Sequence, residues 1–410
     1  MSKNFAAIYA GGSDASAMNQ SFFIKKELIR GQMVAPTNTD FLYSLSGGGV
    51  NYSQSFIDSP HRTGRHRNNI VKEKTATEWT LPIYLNIKQG VAYSASIDVG
   101  VKVLWESALG RMVDTTTAYE FDTATDPSVT FTMFENLDVM AKQAVGCFVN
   151  GAEASLPGDG QSQLSFNGNS KTVYHAGIAK SLADNNAGNV ITLEAGEAKR
   201  FDVGSMVMIV EADGITRSAD TAVPRKITAK DEALDTITVD GAVLADADGS
   251  VTPIYVCYWE PAAPVGIDEP QTGLVGSITI DTLPSLSCVR SATVSLANNH
   301  ELVNYCFGSD GLSGPLFVPG GRAEIGISLE MNLNSAMVEF MKRIRDFEGH
   351  SITLIVGDAA ARHFKIELPK VIFQVPAISV PENGSIPVSF EGNALQSSLG
   401  AADEITVSYA

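Results

Sequence analysis

Long apolar runs are missing from this 410-residue chain. No stretch approaches the roughly 18 apolar residues that a membrane helix needs, and residues 1–20 lack the apolar core of an export signal. No membrane contact and no Sec-type export are therefore expected. Cysteine is scarce: Cys147, Cys257, Cys288 and Cys306 stand alone, with no CxxC pair. That spacing excludes the common zinc and dithiol motifs and fits buried, reduced thiols in a chain made in a reducing cytoplasm. Positive charge is also short, with 29 Lys+Arg against 46 Asp+Glu and a net charge of -17. Such a chain has no general basic face with which to grip DNA. It does allow DNA to slide past, because an acidic wall repels phosphate over about 8–10 Å at physiological salt.

Catalytic signatures are absent too. There is no Walker loop, GxSxG, HExxH, EF-hand loop, or GxGxxG between a strand and a helix. Of the histidines, His61 and His66 share one basic loop, while His300, His350 and His363 sit singly near element ends. The acidic pairs Asp231-Glu232 and Asp403-Glu404 fall in turn-like sequence. The expectation is a protein that is not an enzyme and carries no metal or cofactor.

What the chain has is β-forming sequence punctuated by 36 glycines, and one stretch that occurs twice. Residues 156–170, LPGDGQSQLSFNGNS, align without a gap on residues 380–394, VPENGSIPVSFEGNA. Pro157 matches Pro381, Gly160 matches Gly384, and Ser165-Phe166 match Ser389-Phe390, with Phe166 and Phe390 as core residues. Each copy reads as turn, strand, turn, with Gly-Asn supplying a positive-φ exit.

The elements upstream of each copy follow the same order. In the first, residues 22–34 read as a strand or short helix and 41–45 as a strand. A long polar loop over 47–69 follows, then a strand over 75–87 in which Pro82 marks an edge or bulge. Residues 99–111 change period: Val101, Leu104, Trp105, Ala108 and Leu109 form a helical stripe, with Asp98 as N-cap and Gly110 as stop. Strands over 129–134 and 142–149 lead into the repeat. In the second, a strand over 291–296 precedes a Gly- and Pro-rich loop over 307–322 and a strand over 323–333. A helix over 335–347 buries Met337, Phe340, Met341, Ile344 and Phe347 and stops at Gly349. Strands over 351–356, 363–368 and 371–375 then reach the second copy.

Residues 178–262 have a pattern of their own: five short strands with frequent turn signals, reading as a small Ig-like or barrel domain. Acidic residues outnumber basic ones two to one there. Residues 261–270, PAAPVGIDEP, form a stiff linker onward. The division is an N-terminal arm over 1–21 that orders on contact, a first β-sandwich over 22–177, an inserted acidic β domain over 178–262 and a second β-sandwich over 263–410. The fold class is mainly β, each sandwich carrying one flanking α-helix. Arg62, Arg65, Arg67, Lys72 and Lys74 make residues 61–74 the most basic window, which reads as a loop docking on an acidic neighbour or as a contact with nucleic acid.

The run GGRAEIGISLEMNLNSAMVEFMKRIRDFEGHSITLIVGDA, followed by HFKIELPKVIFQ and VPENGSIPVSFEGNAL, resembles the tail tube (major tail) proteins of long-tailed bacteriophages. The RTGRHRN, EWTLPIYL and LWESALGR segments look like the same family; the insert and the arm lie outside the resemblance. It implies β-sandwiches with one helix each, six to a ring, whose inner sheets join into a barrel that conducts double-stranded DNA without specific binding. Long loops would reach the next ring, carried here by Gly47, Arg62, Arg65, Arg67, Phe307, Leu316 and Arg322. Leu104, Trp105, Phe340 and Met341 would pack the helices. With two sandwiches per chain, three chains close a ring. The implied partners are further copies in stacked trimer rings and other tail proteins: tape measure, terminator, baseplate and, in a contractile tail, a sheath. The implied location is the virion tail, assembled in the host cytoplasm. The alternatives are another virion ring or decoration protein, such as a terminator or baseplate component, and an adhesin that binds carbohydrate. An adhesin would need exposed aromatic clusters, for which 3 Trp and 11 Tyr are thin material.

Overall fold

The computed structural model describes residues 3–11, 19–58, 70–88, 91–95, 97–123, 129–182, 188–217, 223–241, 254–261, 271–272, 276–281, 289–301, 318–335, 337–358, 362–378, 380–401 and 403–410, with the backbone alone at 53–58, 70–76, 93 and 318–319. The described chain is mainly β, with three α-helices and large antiparallel sheets.

After a short helix α1 (Phe5–Gly11) come β1 (Gln20–Lys26), β2 (Phe41–Leu42), β3 (Gly49–Asp58) and β4 (Ile70–Tyr84). Helix α2 (Val99–Leu109) is followed by β5 (Gly110–Asp114), β6 (Tyr119–Thr123), β7 (Phe131–Leu137), β8 (Ala141–Pro157), β9 (Gln163–Asn169) and β10 (Thr172–Ala176). Strand β8 belongs to two layers. Its first half pairs with β7 and β10, and β7 pairs on with β1 and β2; its second half pairs with β9, which continues to β4 and β3. Phe22, Ile24, Phe131 and Met133 from one layer share a core with Trp79, Leu81, Ile83 and Phe166 from the other, and α2 adds Leu104 and Trp105.

The last third has a comparable order of elements. It contains β17 (Gly276–Ile280), β18 (Val289–Ala297), the small pair β19 (His300–Glu301) and β20 (Val318–Pro319), and β21 (Glu324–Asn332). Helix α3 (Met337–Arg345) precedes β22 (His350–Gly357), β23 (His363–Phe373), β24 (Pro387–Leu395) and β25 (Thr406–Tyr409). Several registers match. Leu81 lies opposite Phe166 in β4–β9, and Leu329 opposite Phe390 in β21–β24. A bulge also recurs: Phe131 and Met133 face Cys147 and Ala144, just as His350 and Ile352 face Val371 and Leu368. Bulges bend a strand at fixed places, so a shared bulge lets β8 and β23 serve two layers in the same way. The two parts do not have separate cores. One buried cluster runs from Phe22 to Tyr409, and the β5–β6 hairpin crosses to pair with β25, Tyr119 opposite Tyr409.

Residues 178–258 form their own six-stranded sheet: β11 (Ile178–Lys180), β12 (Val190–Thr192), β13 (Met206–Val210), β14 (Arg225–Asp231), β15 (Thr236–Val239) and β16 (Tyr255–Tyr258). The order is β11-β16-β13-β14-β15-β12, and the Ser181–Leu193 bridge joins its two ends. Closure removes free edges, which short strands otherwise expose. It has six strands where the sequence pattern shows five, because Ile178–Lys180 adds one and the VITLEAGEA run stops at Thr192 before a 3-10 turn, Glu197–Arg200.

Several expectations need correcting. The 47–69 stretch is not one loop: Gly49–Asp58 is β3, and with β4 it makes a long hairpin around residues 59–69. Residues 363–375 are not two strands, since β23 runs through Leu368 to Val371 on its bulge. The N-terminal arm is not wholly without structure: α1 docks on the closed sheet, where the Phe5 ring meets Tyr258 at 5.5 Å and the Tyr9 hydroxyl donates to Glu194 (2.9 Å) and Glu197 (2.8 Å). Gly168-Asn169 and Gly392-Asn393 are not exit turns but lie inside β9 and β24. A Cβ on Gly168 would strike the Phe148 carbonyl, and one on Gly392 would come 2.7 Å from Val371 Cγ1, so close approach of the bulged neighbour is what demands glycine. Phe347 is 80% exposed, because the chain leaves α3 at Arg345 and reverses at Phe347 with φ 58°.

Candidate assembly surface

The second half of β8 joins the two parts of the chain. Its free edge takes β18 antiparallel from Gly151–Ala297 to Pro157–Ser291. The result is one eight-stranded sheet in the order β3-β4-β9-β8-β18-β21-β24-β23. The corner after β18 locks the joint. Asn298 donates from Nδ2 to Ala108 O at the end of α2 (2.7 Å), and its backbone N–H donates to Asn150 O (2.7 Å). The His300 N–H donates to Asn150 Oδ1 (2.8 Å), and its ring stands edge-on to Phe148 at 6.0 Å. A buried Trp105 pins the far side, donating from Nε1 to the Tyr409 hydroxyl at 3.1 Å.

Side chains alternate across this sheet. One face is the core. The other is open, and its charged residues among the described side chains are Glu78, Glu153, Glu324, Glu330 and Glu391, with Lys370 opposite Leu395 at the β23 end, among Ser, Thr, Asn and Gln; Arg290 lies against Glu330 at 3.2 Å. Sequence reasoning did not reach these glutamates, although phasing each strand on its buried partner (Phe166, Leu329, Phe390) places them on the polar side. Spread along one surface, they make a negative wall of small polar character.

The ends of the sheet are unequal. Among the described residues β3 pairs only with β4, so its outer edge, with Val50 buried and Tyr52 43% exposed, carries no strand. At the other end β23 stops at Phe373, and beyond it Val375, Ile378 and Val380 are exposed at 65%, 46% and 72%. Pro82, expected at an edge or a bulge, sits inside β4, but beyond the end of β3. Its carbonyl accepts from the Leu45 N–H on that side, so its missing donor leaves no ladder partner unsatisfied.

Of the residues expected at ring contacts, Gly47 turns with φ 95° just ahead of β3, and Arg322 is exposed just ahead of β21. Arg62, Arg65, Arg67, Phe307 and Leu316 lie outside the described residues, the arginines between the two arms of the β3–β4 hairpin. Phe166 and Phe390 are fully buried, as are Leu104, Trp105 and Phe340; Met341 is half-buried against the same core. Phe307 and Leu316 are thus not brought to Arg322 by any described contact.

The closed sheet packs on the opposite side from the open face. Phe23, Phe134, Ala141 and Val145 turn outward from β1, β7 and β8 into its core. Buried Gln143 exchanges both bonds with Met206, donating to its carbonyl (2.7 Å) and accepting from its N–H (2.6 Å). Trp259 donates to Pro36 O at 2.9 Å. The β7–β8 and β22–β23 bulges each hold a carboxylate. Glu27, buried, accepts from the Thr130 and Thr132 hydroxyls and the Gly31 and Gly146 N–H groups. Asp281 accepts from the Ser351 hydroxyl at 2.8 Å and lies 2.6 Å from His350 Nδ1. Burial acts to raise the Asp281 carboxyl, but the hydrogen bonds from Ser351 and His350 outweigh it and hold it below the usual range.

The arrangement has the chemistry of a wall and two edges. Cys147 and Cys257 are buried, and desolvation pushes both thiols well up, away from reactivity. Among the described residues no three His, Cys, Asp or Glu side chains gather to hold a metal ion, and no helix is long and apolar enough to cross a membrane. No family model and no curated protein matches the chain.

Proposed function

We propose that this chain is a tail tube protein of a long-tailed bacteriophage, a structural virion protein that polymerises into stacked rings enclosing a conduit for DNA. The observation that carries the reading is the single eight-stranded sheet built from two halves with several matching registers, open and acidic on one face. A β-sandwich used twice would give two of the six lobes of a ring, and the β8–β18 joint would be one of six such joints. Three chains then complete the circle. The open face lines the lumen, where Glu78, Glu153, Glu324, Glu330 and Glu391 repel phosphate so that DNA moves without being gripped. The inserted domain, packed on the other side, projects outward three times per ring. The role is physical, not catalytic. Its partners are other copies of itself and the tail proteins that measure, terminate and anchor the tube. Negative-stain electron microscopy of the purified chain across a concentration series tests this. The expected result is long hollow tubes or six-lobed rings. A particle that never stacks, at any concentration or salt, would contradict it and favour a terminator or decoration protein.

A further inference from the structure

The chain holds three Asn-Gly pairs: Asn150-Gly151, Asn167-Gly168 and Asn383-Gly384. Such a pair can modify itself, because glycine has no Cβ to keep its nitrogen away from the asparagine side chain. Ring closure asks for more than sequence. The asparagine Cβ and the next backbone nitrogen must lie on the same side of the Cα–C bond, and strand backbone holds them apart. That nitrogen must also shed its proton, which a hydrogen-bonded N–H resists. Two of the pairs are locked in paired strands. Gly151 lies in β8 opposite Asn167 of β9 on one side and Ala297 of β18 on the other. The Asn150 side chain is held as well, its Oδ1 accepting from the His300 N–H at 2.8 Å. Gly168 lies in β9 between Trp79 of β4 and Val149 of β8, buried against the Phe148 carbonyl.

Asn383-Gly384 is different. Residues 381–385 are all exposed and form no strand. Gly384 adopts φ 99°, and nothing lies within 4 Å of the place its Cβ would take. Among the described residues no hydrogen bond reaches either member of the pair. Pairing begins only at Ile386, whose carbonyl accepts from the Leu333 N–H at 2.8 Å. The matching turn of the first copy, with Asp159 in the place of Asn383, is tied down instead. There the Gly158 N–H donates to Arg290 O (2.7 Å), the Ser162 N–H donates to Gln271 O (2.9 Å), and Gln161 bridges Thr272.

We propose that Asn383 is a self-modification site: in the folded chain it deamidates through a succinimide formed with Gly384, while Asn150 and Asn167 do not. The Gly384 nitrogen, having given its proton to solvent, attacks Asn383 Cγ, and a C–N bond forms. The side-chain nitrogen leaves with its electron pair, takes up a proton and is lost as ammonia. Water then opens the five-membered ring. Opening at Cγ gives aspartate at 383, the residue type that the first copy carries as Asp159. Opening at the main-chain carbonyl gives isoaspartate, with the chain running on through Cγ and longer by one methylene. Water enters and ammonia leaves, and nothing is oxidised or reduced. Either product adds one negative charge to the turn that leads into β24. The extra methylene of the iso form falls ahead of Pro387, outside the ladder, so the exposed turn absorbs it and the buried Val388 and Phe390 keep their places. The site is independent of the ring reading above.

Prolonged incubation of the purified full-length chain in warm, mildly alkaline buffer, followed by digestion and mass spectrometry, tests this. The peptide holding Asn383 should shift from the mass of a carboxamide to that of a carboxylate. It should split into two products, one of them methylated by protein isoaspartate methyltransferase. The peptides holding Asn150 and Asn167 should keep their mass over the same time. In urea all three should convert alike, because the sequence pair is then all that counts. The variant Asn383→Gln, whose ring would have six members, should lack the first acidic form that the native chain gains on isoelectric focusing. An intact Asn383 at a time when the urea-treated chain has converted would overturn the proposal. Equal conversion of all three pairs in the folded chain would also overturn it, since the fold would then select nothing.

Discussion

Phe390 is surrounded by Phe340 at 5.1 Å and Phe373 at 6.4 Å and is fully buried. Phe390→Ala should cost about 3–5 kcal/mol in denaturant unfolding, as expected for an aromatic removed from a close-packed core. Gly392→Ala should cost about 1–3 kcal/mol, because the new methyl must displace Val371 and Phe373 side chains. Gly168→Ala should cost more, since there the obstacle is the Phe148 carbonyl, which cannot turn away. The recurrence of Ser-Phe-x-Gly-Asn makes both aromatics legible from sequence. The reason for the glycines is not, because a turn and a close approach ask for the same residue. Asp281 gives a pH signature. Its folded carboxyl sits below the unfolded value of about 3.9, so its stabilisation is complete above that value and is lost as pH falls through the folded one. Asp281→Asn should therefore lose about 1–3 kcal/mol at pH 7, and the gap to the native chain should narrow progressively as pH falls below the usual carboxylate range. A gap independent of pH would show that the carboxylate charge does not matter.

At the scale of elements, the helices separate what periodicity can and cannot deliver. The stripe of Val101, Leu104, Trp105, Ala108 and Leu109 and the Gly110 stop place α2 correctly, and Gly110 does adopt φ 92° as its C-cap. The neighbouring positions Val103 and Ser107 are buried as well; the Ser107 hydroxyl donates to Val129 O (2.9 Å) and accepts from the Val149 N–H (3.2 Å), so β8 and the chain ahead of β7 cover α2 from another side. Such long-range cover leaves no trace in a local pattern. Helix α3 lacks that cover and buries only Met337, Phe340 and Ile344. The β3–β4 hairpin was hidden for a different reason. Its arms are polar, and their pairing depends on a partner, β9, far along the chain. The basic residues between the arms fit a contact with an acidic neighbouring ring. Replacing Arg62, Arg65 and Arg67 by Glu should block tube growth while circular dichroism and unfolding stay unchanged. Normal tubes from that variant would remove the hairpin tip from the contact.

Across the whole molecule, the wall of the sheet and its two ends make one system. On the proposed reading, the wall would determine what can pass, and the ends would determine how many copies enclose the passage. Reversing the wall at Glu78, Glu153 and Glu391 to Lys should convert a tube that ignores DNA into one that retains it. That retention should weaken steeply with salt, as phosphate contacts do. Equal DNA retention by both tubes would place the open face away from the lumen. The recurring strand registers have a counterpart in the sequence as an echo and an order of elements. The open face has none, because it requires the phase of every strand at once. Mass per ring addresses the account most directly. Assembled rings, solubilised and weighed by native mass spectrometry, should hold three chains of 43.5 kDa each while showing six lobes. Six chains per ring, or three lobes from three chains, would contradict it.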